Sequence, residues 1–339
     1  LSKTFLVTGA AGFVGSHVAQ LLLERHDRVV GLDNLNDYYN PARKRSNLAE
    51  IEQAIPDRAK FHFVEGDFRD RELVDRLFAE YEFEAVIHLG AMAGVRASIE
   101  DPFLYYDVNV NGSMVLLETV VGRSKSGRKG AKMPNFVFAS TSSAYGTTEQ
   151  IPFVETDPSN TPLAPYSASK RAVELLGHSY HHLYKLNFTA LRFFNVYGPR
   201  GRPDMMPFKL LDNIFFGRVV PLYNQGQMYR DWTFVEDIAK GVVAAADRPL
   251  GYEVINLGRG EPVLMADFVR LVETVTNRKV SLPDAPAPET EMYYTYADTS
   301  KAARLLGYAP VVSVEEGVRR FWDWYQQAVL APQALTQPA

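Results

Sequence analysis

Short apolar or β-branched runs recur through the first half of the chain, at Thr4–Val7, Val29–Leu32, Phe61–Val64, Ala85–His88, Asn135–Ala139 and Thr189–Phe193. Longer stretches with helical spacing separate them, among them Val14–Arg25, Arg71–Tyr81, Asn109–Val121 and Ser167–Tyr184. That alternation predicts an α/β protein, a Rossmann-type doubly wound parallel sheet with helices on both faces. Near-continuous apolarity within the runs fits strands buried on both sides.

The texture changes after about residue 195. Tyr197-Gly198-Pro199-Arg200-Gly201-Arg202-Pro203 is loop chemistry, followed by a predicted helix at Pro207–Gly217 and a short strand at Val219–Leu222. Val235–Asp247, Met265–Thr276 and Val314–Ala328 read as helices, Pro283–Pro288 as a proline-rich connector and 331–339 as a frayed tail. A chain of 339 residues is long for one compact core. The expectation is a larger sheet domain over 1–195, with a return segment over 232–250, and a smaller C-terminal α/β domain built from 196–231 and 251–330.

Composition removes several classes of function. Net charge is -4, and Arg43-Lys44-Arg45 is too short a basic run for a nucleic-acid surface, so it reads as a solvated helix face. There is no cysteine, hence no disulfide, thiolate nucleophile or thiolate metal site. No apolar stretch reaches membrane-spanning length and the first residues run directly into a strand, so a cytoplasmic protein with no membrane partner is expected. His178, His181 and His182 share a helix without carboxylates at ligand spacing; they read as helix surface, and no metal is expected. Trp322 and Trp324 read as core packing.

Two stretches carry the candidate chemistry. Gly9-x-x-Gly12-x-x-Gly15 follows the first strand and opens a helix, with Phe13 and Val14 at the helix start. Small residues let the backbone approach a pyrophosphate there, and the helix N-terminus offers free N–H groups. The glycines alone also fit an unliganded βα turn. Asp33 closes the second strand with Asn34 beside it, where a carboxylate accepts both hydroxyls of an adenine ribose and repels a 2′-phosphate; this favours NAD over NADP. Asp67 and Phe68 follow the third strand, placed to meet adenine.

The second stretch is Tyr166-Ser167-Ala168-Ser169-Lys170, preceded by Ser140-Thr141-Ser142-Ser143. Tyr166 and Lys170 are four apart and share a helix face. A free phenol titrates near 10, and lowering that by about 3 units takes roughly 4 kcal/mol of differential stabilisation. The expectation is that the Lys170 ammonium and a positive nicotinamide supply it, making Tyr166 the base for an alcohol proton.

With both stretches in place, the chain resembles an extended short-chain dehydrogenase/reductase of the nucleotide-sugar epimerase kind over nearly its whole length. Thr141-Ser142-Ser143-Ala144-Tyr145-Gly146 holds the family's catalytic Ser/Thr position at Thr141. Other matching segments are His88-Leu89-Gly90-Ala91, Asn109-Val110-Asn111-Gly112, Arg192–Pro199 and Arg230–Val235. The resemblance implies that Leu89, Ala91, Asn109, Phe193 and Val196 lie near the cofactor with Tyr166 and Lys170. It further implies that Arg230 pairs with a sugar-nucleotide diphosphate and that Tyr223 lies against uracil.

Sugar-nucleotide 4,6-dehydratases of this family carry Asp and Glu directly after the Thr, and UDP-glucuronate decarboxylases usually keep a Glu; here Ser142 and Ser143 stand instead. Leu32–Tyr39, Ala93-Gly94-Val95-Arg96 and Gly198–Met205 are similar to UDP-glucuronate 4-epimerases. The implied activity is reversible C4 epimerisation of UDP-glucuronate to UDP-galacturonate with tightly held NAD. A UDP-glucose or UDP-N-acetylglucosamine 4-epimerase is the alternative, then a UDP-glucuronate decarboxylase. Thr141, Ser142, Ser143 and Tyr166 are expected at the sugar, with Asn195 and Arg202 bordering it, while Arg96 either reaches the sugar carboxylate or caps a helix.

Two departures stand out. Asn195 occupies a position where glucuronate epimerases often have Thr, and Thr290-Glu291-Met292 replaces the usual Gly-Asp-Val. A homodimer through the apolar faces of Asn109–Val121 and Ser167–Tyr184 is expected by analogy with related dimers.

Overall fold

The computed structural model describes residues 2–55, 57–125 and 132–331. Six strands fall where the apolar runs predict them: β1 Thr4–Thr8, β2 Arg28–Asp33, β3 Phe61–Glu65, β4 Ala85–His88, β5 Asn135–Thr141 and β6 Phe188–Phe193. Seven further short strands follow: β7 Asn195–Tyr197, β8 Leu222–Tyr223, β9 Tyr229–Phe234, β10 Tyr252–Leu257, β11 Pro262–Leu264, β12 Asp284–Ala285 and β13 Tyr294–Thr295. The main sheet is parallel throughout, in the order β10-β6-β5-β4-β1-β2-β3.

Helices cover both faces of that sheet. One face is packed by α1 Phe13–Glu24, α2 Pro41–Ala54, α9 Val235–Ala246 and α11 Ser300–Leu306, which bury Val18, Leu22, Ile51, Val242 and Ala302. The opposite face is packed by α3 Arg71–Glu80, α6 Gly112–Lys125 and α7 Pro165–Tyr184, through Val74, Leu117 and Val173. Two short helices, α4 Ala97–Glu100 and α5 Pro102–Tyr106, lead by a π turn at Asp107–Asn111 into α6. The helix read as starting at Asn109 therefore begins with a wider turn.

The smaller unit surrounds β9, which pairs with β7, β11 and β13. It is closed by α8 Met206–Phe216, α10 Met265–Thr276 and α12 Val314–Tyr325 around Trp232, Phe208, Phe268 and Phe321. Trp322 stacks on Phe215 at 5.0 Å and Trp324 on Phe321 at 6.0 Å, the packing role expected of both.

Four expectations are corrected here. Tyr252–Leu257, placed by the sequence reading in the smaller domain, form the outermost strand of the main sheet beside β6. The strand expected at Val219–Leu222 shrinks to Leu222–Tyr223, because Val219 is 78% exposed and has no partner strand. The proline-rich connector supplies that partner, Asp284–Ala285. The basic run on α2 is a solvated face only at Arg45. Lys44 is buried, donates to the Asn36 side chain at 2.7 Å and stands 3.8 Å from Asp33, while Arg43 lies over the Phe208 ring. The tail expected over 331–339 lies, beyond Ala331, outside the described residues.

One buried charge pair fastens the sheet to α7. Arg192, on β6, donates from Nε and Nη2 to both carboxylate oxygens of Glu174, on α7, at 2.9 and 2.7 Å. Ser140, at the end of β5, donates to the same carboxylate at 2.5 Å, and both charged residues are fully buried. Removing one partner strands the other charge in a low-dielectric interior, a cost of about 3–5 kcal/mol. Arg192→Leu is therefore expected to lose about that much in a denaturant titration, whereas the double variant Arg192→Leu/Glu174→Leu recovers much of the loss.

Candidate active site

The turn between β1 and α1 has the shape a dinucleotide requires. Gly9 takes φ +70°, and a Cβ there would meet Gly90 N at 2.7 Å; a Cβ at Gly15 would lie 1.9 Å from the Gly9 carbonyl oxygen. Gly9 and Gly90 follow β1 and β4, where the strand order reverses and open α/β sheets bind ligands. Helix α1 starts at Gly12 with no side-chain cap and no acidic residue in its first turn, so its amides remain available to an anion.

Asp33 is buried at the end of β2 and accepts from the amides of Ala11 (3.2 Å) and Leu35 (2.9 Å). Burial pushes its carboxyl up, and the Lys44 ammonium opposes that shift. These features fit NAD: α1 for the pyrophosphate, Asp33 for the adenine ribose.

Several residues expected at the cofactor also brace the protein around it. The Asn109 amide is consumed within the protein: it accepts from Met92 N and donates to Met92 O and to Ser169 Oγ, tying the loop after β4 to α7. Asn34 donates to Asp67, whose carboxylate is also held by Arg69. The Phe68 ring is buried edge-on against His88 at 4.9 Å.

His88 itself is neutral, its imidazole pushed down to about 3 by burial. Ser113 spends its hydroxyl proton on Asn109 O, so His88 Nε2–H donates to Ser113 and Nδ1 accepts from the Thr8 hydroxyl, whose oxygen also accepts from Gly90 N. Leu89 and Ala91 flank this network, with Leu89 N donating to Thr8 O at 3.2 Å.

Beyond the turn lies a cavity of about 860 Å³. Phe13, Val14, Phe193 and Val196 contribute apolar lining, and Thr141, Ser142, Ser143, Tyr166, Asn195 and Arg202 contribute polar groups. Thr141 ends β5 opposite Phe193, and its hydroxyl oxygen accepts from Ser143 N at 3.1 Å as a 3₁₀ turn begins. Tyr166 occupies the first turn of α7, which Pro165 opens.

The electrostatics of the phenol differ from the expectation. Burial pushes Tyr166 above its ordinary value, and Arg202 and a hydrogen bond with Thr141 pull it back. Lys170 has partners of its own. Its Nζ donates to the Ala139 carbonyl at 2.8 Å and lies 4.7 Å over the Phe138 ring, and burial, with Arg202 adding, pushes it down to about 7.

Arg202 is held in turn by Asp204, Nε to Oδ1 at 2.9 Å and Nη2 to Oδ2 at 2.6 Å. Burial pushes Asp204 up, but this pairing outweighs it and leaves the carboxyl below its usual range. Tyr38 donates to Asp204 at 3.4 Å, and Tyr105 sets its ring edge-on to Tyr166 at 6.2 Å. Sequence reasoning quoted the segments of Tyr38 and Asp204 but gave neither a role. A carboxylate two residues from an arginine in a loop was the available signal.

The cavity is also lined by Tyr223, Arg230, Arg96 and Glu291. Arg96 stacks over the Tyr223 ring at 4.6 Å, pairs with Glu291 at 2.9 Å and makes no side-chain cap to α4. Among the described residues there is no group of three His, Cys, Asp or Glu able to hold a metal ion. His181 bonds the Leu186 carbonyl and His178 packs edge-on to Tyr252. No helix of the described residues is long and apolar enough to cross a membrane.

Comparison with known proteins agrees with this site. A family model described as GDP-mannose 4,6 dehydratase matches residues 6–321. The chain is 38% identical over 326 residues to a UDP-glucuronate 4-epimerase of Thermodesulfobacterium geofontis, covering 96% of this chain and 97% of the relative. It is similar in structure to UDP-glucuronic acid 4-epimerase from Bacillus cereus in complex with UDP-glucuronic acid and NAD, with a TM-score of 0.84 and 31% identity over 96% of this chain and 99% of that one. A UDP-glucose 4-epimerase from Thermotoga maritima, with UDP-glucose, gives a TM-score of 0.83 at 29% identity over 96% of this chain and 99% of that one.

The Lys170 geometry has a testable consequence for the cofactor-free protein. The unfolded lysine titrates near 10.4, the folded one at about 7. Between those values the unfolded chain binds a proton that the folded chain does not, so stability rises with pH across that window. Denaturant titrations from pH 7 to 9.5 are expected to show wild type gaining stability relative to Lys170→Met.

Proposed function

The chain belongs to the GDP-mannose 4,6 dehydratase family, and within that family we propose that it is an NAD-dependent UDP-glucuronate 4-epimerase, interconverting UDP-glucuronate and UDP-galacturonate. The observation that carries this reading is the set of groups around Tyr166: three hydroxyl residues and an arginine, Thr141, Ser142, Ser143 and Arg202, with no carboxylate following Thr141. A dehydratase needs an acid and a base beside its sugar to remove water; serines at 142 and 143 supply neither.

Bound NAD supplies a reversible acceptor for the C4 hydrogen and its electron pair. The protein's own groups do the rest. Tyr166 takes the C4 hydroxyl proton, with the Thr141 hydroxyl bonded to the same oxygen and the Arg202 charge favouring phenolate. Lys170, anchored to Ala139, is placed one helical turn away to orient the cofactor's ribose. The 4-keto sugar then turns over within the cavity, the C4 hydrogen with its electron pair would return to the opposite face of the same carbon, and Tyr166 gives the proton back to the oxygen. A volume of about 860 Å³ leaves room for that rotation.

The 4-keto uronate is a β-keto acid and loses CO₂ when its carboxylate bond aligns with the carbonyl π-system. Thr141, Ser142 and Ser143 hold the carboxylate out of that alignment by hydrogen bonds, with Arg202 nearby, a positioning effect. Arg230 and Tyr223 take the diphosphate and uracil. Asn195, lining the cavity where glucuronate epimerases often have Thr, favours a second reading, a UDP-hexose 4-epimerase.

An exposed apolar strip supports a homodimer. Phe103 on α5 is 87% exposed, and Leu175 and Leu183 on α7 are 53% and 64% exposed, with Met114 on α6 beside them. A second copy burying this strip would form a helical interface behind the active site. Phe103→Glu is expected to convert the dimer to a monomer in light scattering; an unchanged dimer would place the interface elsewhere.

For the chemistry, Tyr166→Phe is expected to lower turnover by about 10²–10⁴-fold while NAD remains bound. Ser142→Ala/Ser143→Ala, assayed with UDP-glucuronate, is expected to release a UDP-pentose and CO₂. Clean epimerisation by that double variant would remove the carboxylate-holding role from these serines.

A further inference from the structure

The nucleotide end of the cavity already contains an anion, and it belongs to the protein. Glu291 reaches two arginines with its two carboxylate oxygens: Oε2 pairs with Arg230 Nη2 at 2.8 Å and Oε1 with Arg96 Nη2 at 2.9 Å. The arginines come from different units. Arg96 precedes α4, in the loop after β4 of the main sheet, whereas Arg230 lies on β9 of the smaller unit. The Arg230 side chain is only 9% exposed, and its Nη1 is spent on the Tyr229 carbonyl. Arg96 simultaneously covers the Tyr223 ring, the face expected to receive the base.

We propose that Glu291 is a specificity-determining residue of the nucleotide end: its carboxylate holds the Arg230–Arg96 pair, and a nucleoside diphosphate binds by exchanging with it. The inference rests on the reading of this end as the diphosphate site. A buried guanidinium without an anion is costly, so Arg230, unlike the half-exposed Arg96, is not left bare. The ligand must bring enough charge to replace a carboxylate held at two points, and Arg96 must leave Tyr223 for the base to stack there. Binding is then an exchange of anions with little net change in ion pairing. Affinity is lower than the arginines alone would give, and weakly dependent on salt. A single phosphate gains too little to open the contact, while a nucleoside diphosphate gains phosphate pairing and base stacking together.

The opposite assignment, Glu291 as a ligand for the nucleotide or as a brace for Arg230, gives the opposite sign on removal of its charge. That sign is the test. UDP binding to the NAD-loaded full chain is measured by titration calorimetry at several salt concentrations, for wild type, Glu291→Gln and Glu291→Asp. Exchange predicts that Glu291→Gln binds UDP roughly tenfold more tightly, with a steeper loss of affinity as salt rises, because net ion pairs now form on binding. Glu291→Asp, withdrawn by one methylene, shows a smaller gain of the same sign and decides the matter if the glutamine variant melts early. UDP binding that is unchanged or weaker in both variants overturns the proposal while leaving the diphosphate site intact. Failure of all three proteins to bind UDP overturns the reading of the site itself.

Discussion

The chemistry of this protein depends on one buried contact. Glu174 on α7 and Arg192 on β6 are fully buried and doubly hydrogen-bonded, and Ser140 at the end of β5 joins the same carboxylate. Thr141 follows Ser140 directly, and Tyr166 and Lys170 lie on the same helix as Glu174. The pair therefore sets the end of β5 against the start of α7. A buried ion pair is weak evidence for net stability, since an apolar replacement can do as well. Its value here is geometric: a hydroxyl and a phenol from distant parts of the chain must meet at one oxygen atom of a sugar.

The second theme is charge held in reserve. Arg202 is paired with Asp204, and Arg230 with Glu291. Both arginines line the cavity, and in the proposed reading Arg202 meets the sugar carboxylate and Arg230 the diphosphate. Internal carboxylates let these guanidinium groups stay buried, and Arg202 still acts on the Tyr166 phenol. Catalysis then depends on how the incoming anion redistributes these pairs. The Lys170 ammonium, which sequence logic places at the phenol, is occupied with the Ala139 carbonyl and is strongly desolvated.

Much of the fold was legible because five strands, all of the six but the edge strand β3, are largely buried and carry mostly apolar runs. The seventh, β10, was not. Its run is broken by Glu253 and Asn256; Asn256 is buried but spends its side chain on Tyr145 and the Phe153 carbonyl. Strand β9 was hidden by Arg230 and Asp231 at its centre. The Asp231 carboxylate is satisfied by the amides of Arg259, Gly260 and Ala297, contacts that no local pattern announces. In the site, the glycine turn and the Tyr166–Lys170 pair were readable because spacing alone puts them on a turn or one helix face, whereas Thr141, at the end of β5, was readable only through the family resemblance. The partners of Asn109 and Arg96 were not legible for a common reason. They lie far away in sequence, and a polar side chain near a site reads the same whether it touches the ligand or holds the frame.

The central claim is that the C4 hydrogen leaves the sugar and returns to the same carbon inside a closed site, with Tyr166 handling only the hydroxyl proton. The most direct measurement is NMR of UDP-glucuronate labelled with deuterium at C4, incubated with the purified protein in ordinary water without added reductant. The account predicts UDP-galacturonate carrying the deuterium at C4, with no loss of CO₂. Deuterium washed out to solvent, or an unchanged substrate in a protein that turns over UDP-glucose, would contradict it.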